Sequence, residues 1–268
     1  MVMEHIRKPA VAGMFYPANP TELAATVHSM LAAARPRATV LPKALIAPHA
    51  GYIYSGPVAA SAYILLSTER KIIRRIILLG PVHRVPIRGL ALPDAEAFAT
   101  PLGVTSLDVE GMNSILDLPQ VHQSAEAHAM EHSLEVHLPF LQTVLDDFRL
   151  IPLAVGDATA EDVAEVLDRL WGGNETRIVI SSDLSHYLPY EMAKSVDNQT
   201  ARAIVNRHRP IRHEQACGAT PINGLLAALD KHELHTYVLD LRNSGDTAGG
   251  KSQVVGYGAF AFTRETSS

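Results

Sequence analysis

The sequence predicts an α/β fold: a single domain over residues 1–268, with a central mixed, largely parallel sheet flanked by helices on both faces. Three observations predict it. Apolar, β-branched runs end in polar loops, helical stretches lie between those runs, and the runs are unbroken rather than alternating. Unbroken apolar strands are those covered on both sides, and strands alternating with helices build such sheets.

The elements follow in order. Residues 21–34 form a helix after Asn19-Pro20, a favourable helix start. The first strand, residues 43–47, ends at Pro48-His49-Ala50-Gly51. A small-residue helix over 57–67 leads to the second strand, residues 75–79, which ends at Gly80-Pro81-Val82-His83. Amphipathic helices are expected over 131–145 and 160–171. The third strand, residues 177–180, runs into Ser181-Ser182-Asp183-Leu184-Ser185-His186. Helices over 191–206 and 221–231 precede two strands, 235–241 and 254–263. In such folds ligands bind beyond the carboxyl ends of the strands. Three strands here each end in a loop with a histidine: His49, His83 and His186.

Composition excludes several classes. Charged residues make up 19% and apolar residues 47%, a globular balance. The net charge of -5 supplies no basic field for nucleic acid. No apolar stretch approaches the ~18–20 residues that span a bilayer, and residues 1–12 lack the apolar segment of a signal peptide. One cysteine cannot form an internal disulfide, so nothing points to an oxidising compartment and a cytoplasmic location is expected.

A mononuclear metal site needs about three protein ligands and an open position. His49 and His83, at equivalent strand ends, are candidate ligands; the alternative is a pair of hydrogen-bonded loop histidines. Cys217 precedes the helix that opens near Thr220-Pro221, where backbone N–H groups favour the thiolate. On spacing alone, a buried inert cysteine is the better reading. His186 is a candidate proton donor or acceptor, with Asp183 able to fix its tautomer or to cap the following turn.

Two motifs are set aside. His128-Ala129-Met130-Glu131-His132 matches the H-x-x-E-H pattern of inverted zinc peptidases; the preferred use is His132 facing the pocket as a polar group. Residues 245–252 match the P-loop pattern, but the next segment reads as a strand rather than a phosphate-binding helix, so a flexible glycine-rich hairpin or loop is expected.

With those residues in view, the chain resembles the Memo family, whose prokaryotic members are called AmmeMemoRadiSam system protein B. The resemblance runs nearly end to end. It includes Arg7-Lys8-Pro9 through Tyr16-Pro17, Ala47-Pro48-His49 through Ser55-Gly56, and Leu79-Gly80-Pro81-Val82-His83. It continues with Glu131-His132 through Pro139-Phe140, Ser181 through His186, Cys217-Gly218 and Val255 through Phe260. Memo proteins look like class III extradiol ring-cleaving dioxygenases in fold, enzymes that hold iron(II) with two histidines and a glutamate. The resemblance implies metal ligands at His49, His83 and, in the carboxylate's place, Cys217. It implies His186 and His132 in the pocket. The thiolate is the departure, since it donates more charge and is itself oxidisable.

The leading expectation is a mononuclear iron(II)-dependent oxidoreductase, with copper or zinc as other metals. In it His186, oriented by Asp183, moves a proton and His132 contacts the ligand. A non-catalytic module binding a peptide or small ligand, and a zinc hydrolase, are the alternatives. The resemblance also implies an AMMECR-like protein and a radical-SAM protein as partners.

Overall fold

The computed structural model describes residues 5–264. The elements in chain order are β1 (Ile6–Arg7), α1 (Pro20–Ala33), β2 (Ala44–Ala47), α2 (Tyr52–Tyr63), β3 (Arg75–Pro81), β4 (Leu90–Leu92) and β5 (Ala97–Thr100). There follow β6 (Gly103–Ser106), α3 (Val109–Asn113), β7 (Val121–Gln123), α4 (Ala125–Ala129), α5 (Leu138–Val144) and β8 (Arg149–Val155). The last are α6 (Ala160–Leu170), β9 (Thr176–Ser181), β10 (His186–Leu188), α7 (Tyr190–Val205), α8 (Ala219–Ala228), β11 (His235–Asn243) and β12 (Val254–Thr263).

A nine-stranded sheet runs in the order β10-β12-β2-β9-β3-β8-β4-β7, with β11 also on β12. Its centre, β2-β9-β3-β8, is parallel; β12 and β4 flank it antiparallel, and β7 runs parallel to β4. The α/β prediction therefore holds. Every residue of β2 and β9 is buried, as their unbroken apolar runs require. Helices α6 and α8 pack on each other, with α8 against β3 and β9, while α1 and α5 pack with α2 over β2, β11 and β12. A separate three-stranded sheet, β1-β5-β6, was not foreseen. Its strands are short and partly exposed, so they carry little apolar signal.

Local chemistry explains the helix starts. Asn19 caps α1 by accepting from the N–H groups of Thr21 and Glu22, and Thr159 and Asp162 form a capping box on α6. Two predicted helices are corrected. The one expected over 57–67 begins at Tyr52 and tightens into a 3-10 turn over Ile64–Glu69. Pro57 reads as a first-turn proline but sits inside the helix. The one expected over 131–145 is an irregular segment, a 3-10 turn at Glu135–His137, and α5 alone. Here the carboxylates of Glu131 and Glu135 turn inward to collect hydrogen bonds, and Pro139 sets the helix start. The expected hairpin holds: residues 245–252 join the antiparallel pair β11 and β12. Among the described residues no helix is long and apolar enough to cross a membrane.

Glu135 ties the amino-terminal segment to this core. Its side chain is fully buried. It accepts from the Arg7 guanidinium, the Tyr16 hydroxyl, Ala10 N–H at 2.7 Å and Val11 N–H at 3.0 Å. Removing one partner from a buried ion pair leaves the other uncompensated. Glu135→Gln should therefore lower unfolding free energy by roughly 3–5 kcal/mol, read from urea denaturation; a change within error of wild type would refute the role of this pair.

Two interior histidines give the fold a pH signature. His128 donates from Nε2 to the Ala91 carbonyl at 2.8 Å, and His137 shares a 2.8 Å bond with the Tyr63 hydroxyl. Burial pushes His128 down to about 4 and His137 down to about 3. Unfolded histidine titrates near 6.5, so between that value and about 4 the unfolded chain binds more protons. Stability is then full above about pH 6.5 and falls as pH drops, by up to ~3 kcal/mol per histidine. In metal-free protein the urea midpoint should fall between pH 7 and 4.5, and the fall should shrink in His137→Asn; an identical fall in both proteins would contradict this.

Candidate metal centre

Parallel register puts the site loops on one edge of the sheet. Ala47 of β2 lies opposite Ser181 of β9, and Leu79 of β3 opposite Ile180. The chains beyond these residues therefore emerge side by side, carrying His49, His83 and the segment from Ser182 to His186. The segment after α4 joins them because it approaches β3 closely: a Cβ at Gly80 would sit 2.8 Å from Ser133 Oγ. That approach delivers Glu131 and His132 to the same rim.

The imidazoles of His49, His83 and His132 each offer a ring nitrogen, and these atoms all lie within 4.8 Å of one another. Ring centroids are 5.1 Å apart for His49 and His83, 5.4 Å for His49 and His132, and 4.5 Å for His83 and His132. His49 is buried, His132 is partly buried against the Phe15 ring at 4.6 Å, and His83 is exposed. Such a group can hold a metal ion.

Hydrogen bonds settle which nitrogen of two rings carries the proton. Ser181 Oγ donates to the Ser133 carbonyl at 2.6 Å, so its single proton is committed. Its 2.6 Å contact with His49 Nδ1 must then be a bond donated by the ring, which leaves the lone pair on Nε2. The Glu131 carboxylate does the same for His83, accepting from Nδ1 at 2.9 Å. It also accepts from the backbone N–H of His83 at 2.6 Å, and from those of His132 and Ser133 at 2.9 Å. A carboxylate that orients a histidine in this way is the usual partner of a metal-bound imidazole.

The electrostatics follow from burial and crowding. Burial holds His49 well below its ordinary range, with the neighbouring histidines adding to the effect. Burial, then the charges of His83 and Arg84, push His132 down to about 4. Burial opposes the Glu131 carboxylate, but the His83 ring and the backbone N–H groups outweigh it and hold Glu131 at about 2. At neutral pH His49 and His132 are thus uncharged bases beside a buried anion, the state that metal binding requires.

Cys217 stands next to this group. Its Sγ is 3.4 Å from His49 Nε2 and accepts from Asp183 N–H at 3.3 Å. Gly218 permits this, since a Cβ there would meet the Ser181 carbonyl at 2.6 Å. In the absence of a metal ion the thiol is favoured over the thiolate expected at a helix start. Burial and the Asp183 carboxylate push the thiol up to about 12, outweighing the favourable N–H contacts.

Asp183 accepts from His49 N–H at 2.8 Å, and burial pushes its carboxyl up to about 6. His186 takes its orientation from elsewhere: its Nδ1 donates to the Leu184 carbonyl at 2.8 Å, so Nε2 carries the lone pair. The H-x-x-E-H segment divides. His128 turns away to Ala91, Glu131 orients, and only His132 reaches the cluster. Sequence reasoning missed Glu131 and Ser181 as orienting residues. The one available signal was Glu131 beside His132; Ser181 had none.

A family model described as Memo-like protein matches residues 7–261. A MEMO1 family protein of Aquifex aeolicus is 36% identical over 264 residues, covering 94% of this chain and 97% of that protein. One from Aeropyrum pernix is 37% identical over 282 residues, covering 95% and 98%. One from Methanosarcina barkeri is 34% identical over 275 residues, covering 95% and 98%. Among solved structures, an uncharacterized protein from Escherichia coli K12 matches with a TM-score of 0.51 at 15% identity, over 81% of this chain and 99% of that one, a likeness of fold alone. With the match running from Arg7 into β12, and with relatives matched along nearly their whole length, the chain belongs to the Memo-like protein family.

Proposed function

We propose that the protein is a mononuclear iron(II)-dependent oxidoreductase, with the metal held by His49, His83 and Cys217 and with His132 facing the ligand. The observation that carries this is the Cys217 sulfur 3.4 Å from His49 Nε2, with the ring protons of His49 and His83 both held on Nδ1. The donor set fits: imidazole and thiolate suit iron, copper or zinc, and the exposed side of His83 leaves room for substrate. A bound ion would supply Lewis-acid and redox chemistry. Ser181 and Glu131 hold two imidazoles in the binding tautomer. Asp183, through the His49 backbone, keeps the β2 loop in place. His186 Nε2 is free to take up a proton and return it, and His132 presents a neutral ring to the ligand.

A second ligand set is favoured by one observation: the three imidazoles alone form the compact group, with Cys217 beside it. Metal content separates the two. In protein purified without oxygen, Cys217→Ala should retain roughly a tenth or less of wild-type iron, while His132→Ala retains most of it. The reverse pattern would assign the third ligand to His132. Oxygen uptake with a reductant, above that of free iron, is expected for the wild type; none would leave a binding module.

Glu131 provides an independent check. Glu131→Gln should weaken metal binding by about 10–100-fold, the usual effect of removing the partner of a metal-bound histidine. Competition titration against a chelator measures it, and unchanged affinity would show that His83 is not a ligand oriented by Glu131.

A further inference from the structure

A cleft of about 530 Å³ opens beside the histidine cluster, between the loops that follow β3 and β8 and the start of α8. His83 and Cys217 belong to its lining, which joins it to the candidate metal centre. Four other polar residues line it: Arg84, Asp157, His213 and Thr220. His213 and Thr220 stand together, with His213 Nε2 3.4 Å from Thr220 Oγ1. Arg84 is different. It is exposed, follows His83 directly, and makes no ion pair or side-chain hydrogen bond among the described residues. Most arginines here are engaged, for example Arg7 with Glu135, Arg75 with Asp108 and Arg177 with Glu69.

Asp157 lines the same cleft from the β8 loop, and its carboxylate is likewise without an ion pair among the described residues. Two opposite charges therefore line one cavity without neutralising each other. A guanidinium matches a carboxylate through two parallel N–H groups, and gains most where water is partly excluded. The carboxylate of Asp157 in the same lining works against a second negative charge in that space. Ile87 and Pro221 add apolar surface for an uncharged body.

We propose that this cleft binds the ligand of the metal centre, and that the ligand is a small monocarboxylate with an apolar body, its carboxylate held by Arg84. The proposal rests on the metal-centre reading for its use in a reaction, but the binding itself involves only residues of the cleft. The test therefore uses both the protein as purified and the same protein after chelation, with calorimetric titration of three probes. Benzoate carries one negative charge, benzamide none, and phenyl phosphate close to two.

Benzoate should bind both forms of the wild type at least tenfold more tightly than benzamide, as expected for one charge-assisted contact (roughly tenfold or more in affinity). Arg84→Gln, an exposed site whose thermal midpoint should match wild type, should abolish that preference and leave benzamide binding unchanged. Asp157→Asn should improve phenyl phosphate binding more than benzoate binding. Absence of benzoate binding at millimolar concentration, equal binding of benzoate and benzamide, or a preference that survives in Arg84→Gln would each overturn the proposal. Tighter binding of phenyl phosphate than benzoate in the wild type would overturn the restriction to one charge. A normal result here with no retained metal would sink only the metal-centre reading.

Discussion

A buried carboxylate with four donors around it, Glu131, holds the rim of the sheet together. It accepts from the ring and the backbone of His83 and from the backbone of His132 and Ser133. The loop after β3 and the segment after α4 are far apart in sequence, and this anion is what both of them bind. Without it, three backbone N–H groups would lose their partner, that of Ser133 in a buried position. The same contacts stabilise the charged form, so the cost of burying the carboxylate is offset by the geometry that the site needs.

That arrangement also explains why the rings are ready to act as bases. Protonated imidazoles this close together would repel one another in a medium that screens poorly. Burial and mutual repulsion push His49 and His132 down together. Cys217 responds in the opposite sense: as an acid in the same surroundings, its thiol is pushed up. A cation placed among these groups would reverse the penalty on the thiolate, since a coordinating thiol is deprotonated outright. Neutral bases and a masked thiolate are two consequences of one low-dielectric, crowded environment.

Around the rim, the structure relies on a second inward carboxylate. Glu135 fastens the Arg7 to Tyr16 segment, and Phe15 from that segment packs on His132. Glu131 and Glu135 are one helical turn apart in sequence, and a helix would have placed both on one face. Their hydrogen bonds to distant backbone groups offered more than the local helix could, so the helix expected over 131–145 gave way to α5 alone. An error in local structure and a blind spot in the site therefore share one cause.

Strands β2, β3 and β9 were legible because unbroken apolar runs and loop punctuation are local properties, and parallel packing then obliges strand-end loops to share an edge; β8, equally buried, was not read from the sequence. His49 and His83 could be placed on that edge from such reasoning. Cys217 could not, because its position depends on Gly218 tolerating the approach of β9. Nor could the partners of Ser181 and Glu131, or the lack of one for Arg84 among the described residues, since a hydrogen bond or an unmatched charge is defined by what the rest of the chain brings near. By itself the sequence determined the layers, three of the four central strands and the edge where chemistry would gather. Only the tertiary structure decided which donors converge, which ring nitrogens stay unprotonated and which charges remain open to a ligand, because convergence, burial and pairing are properties of segments that meet in space.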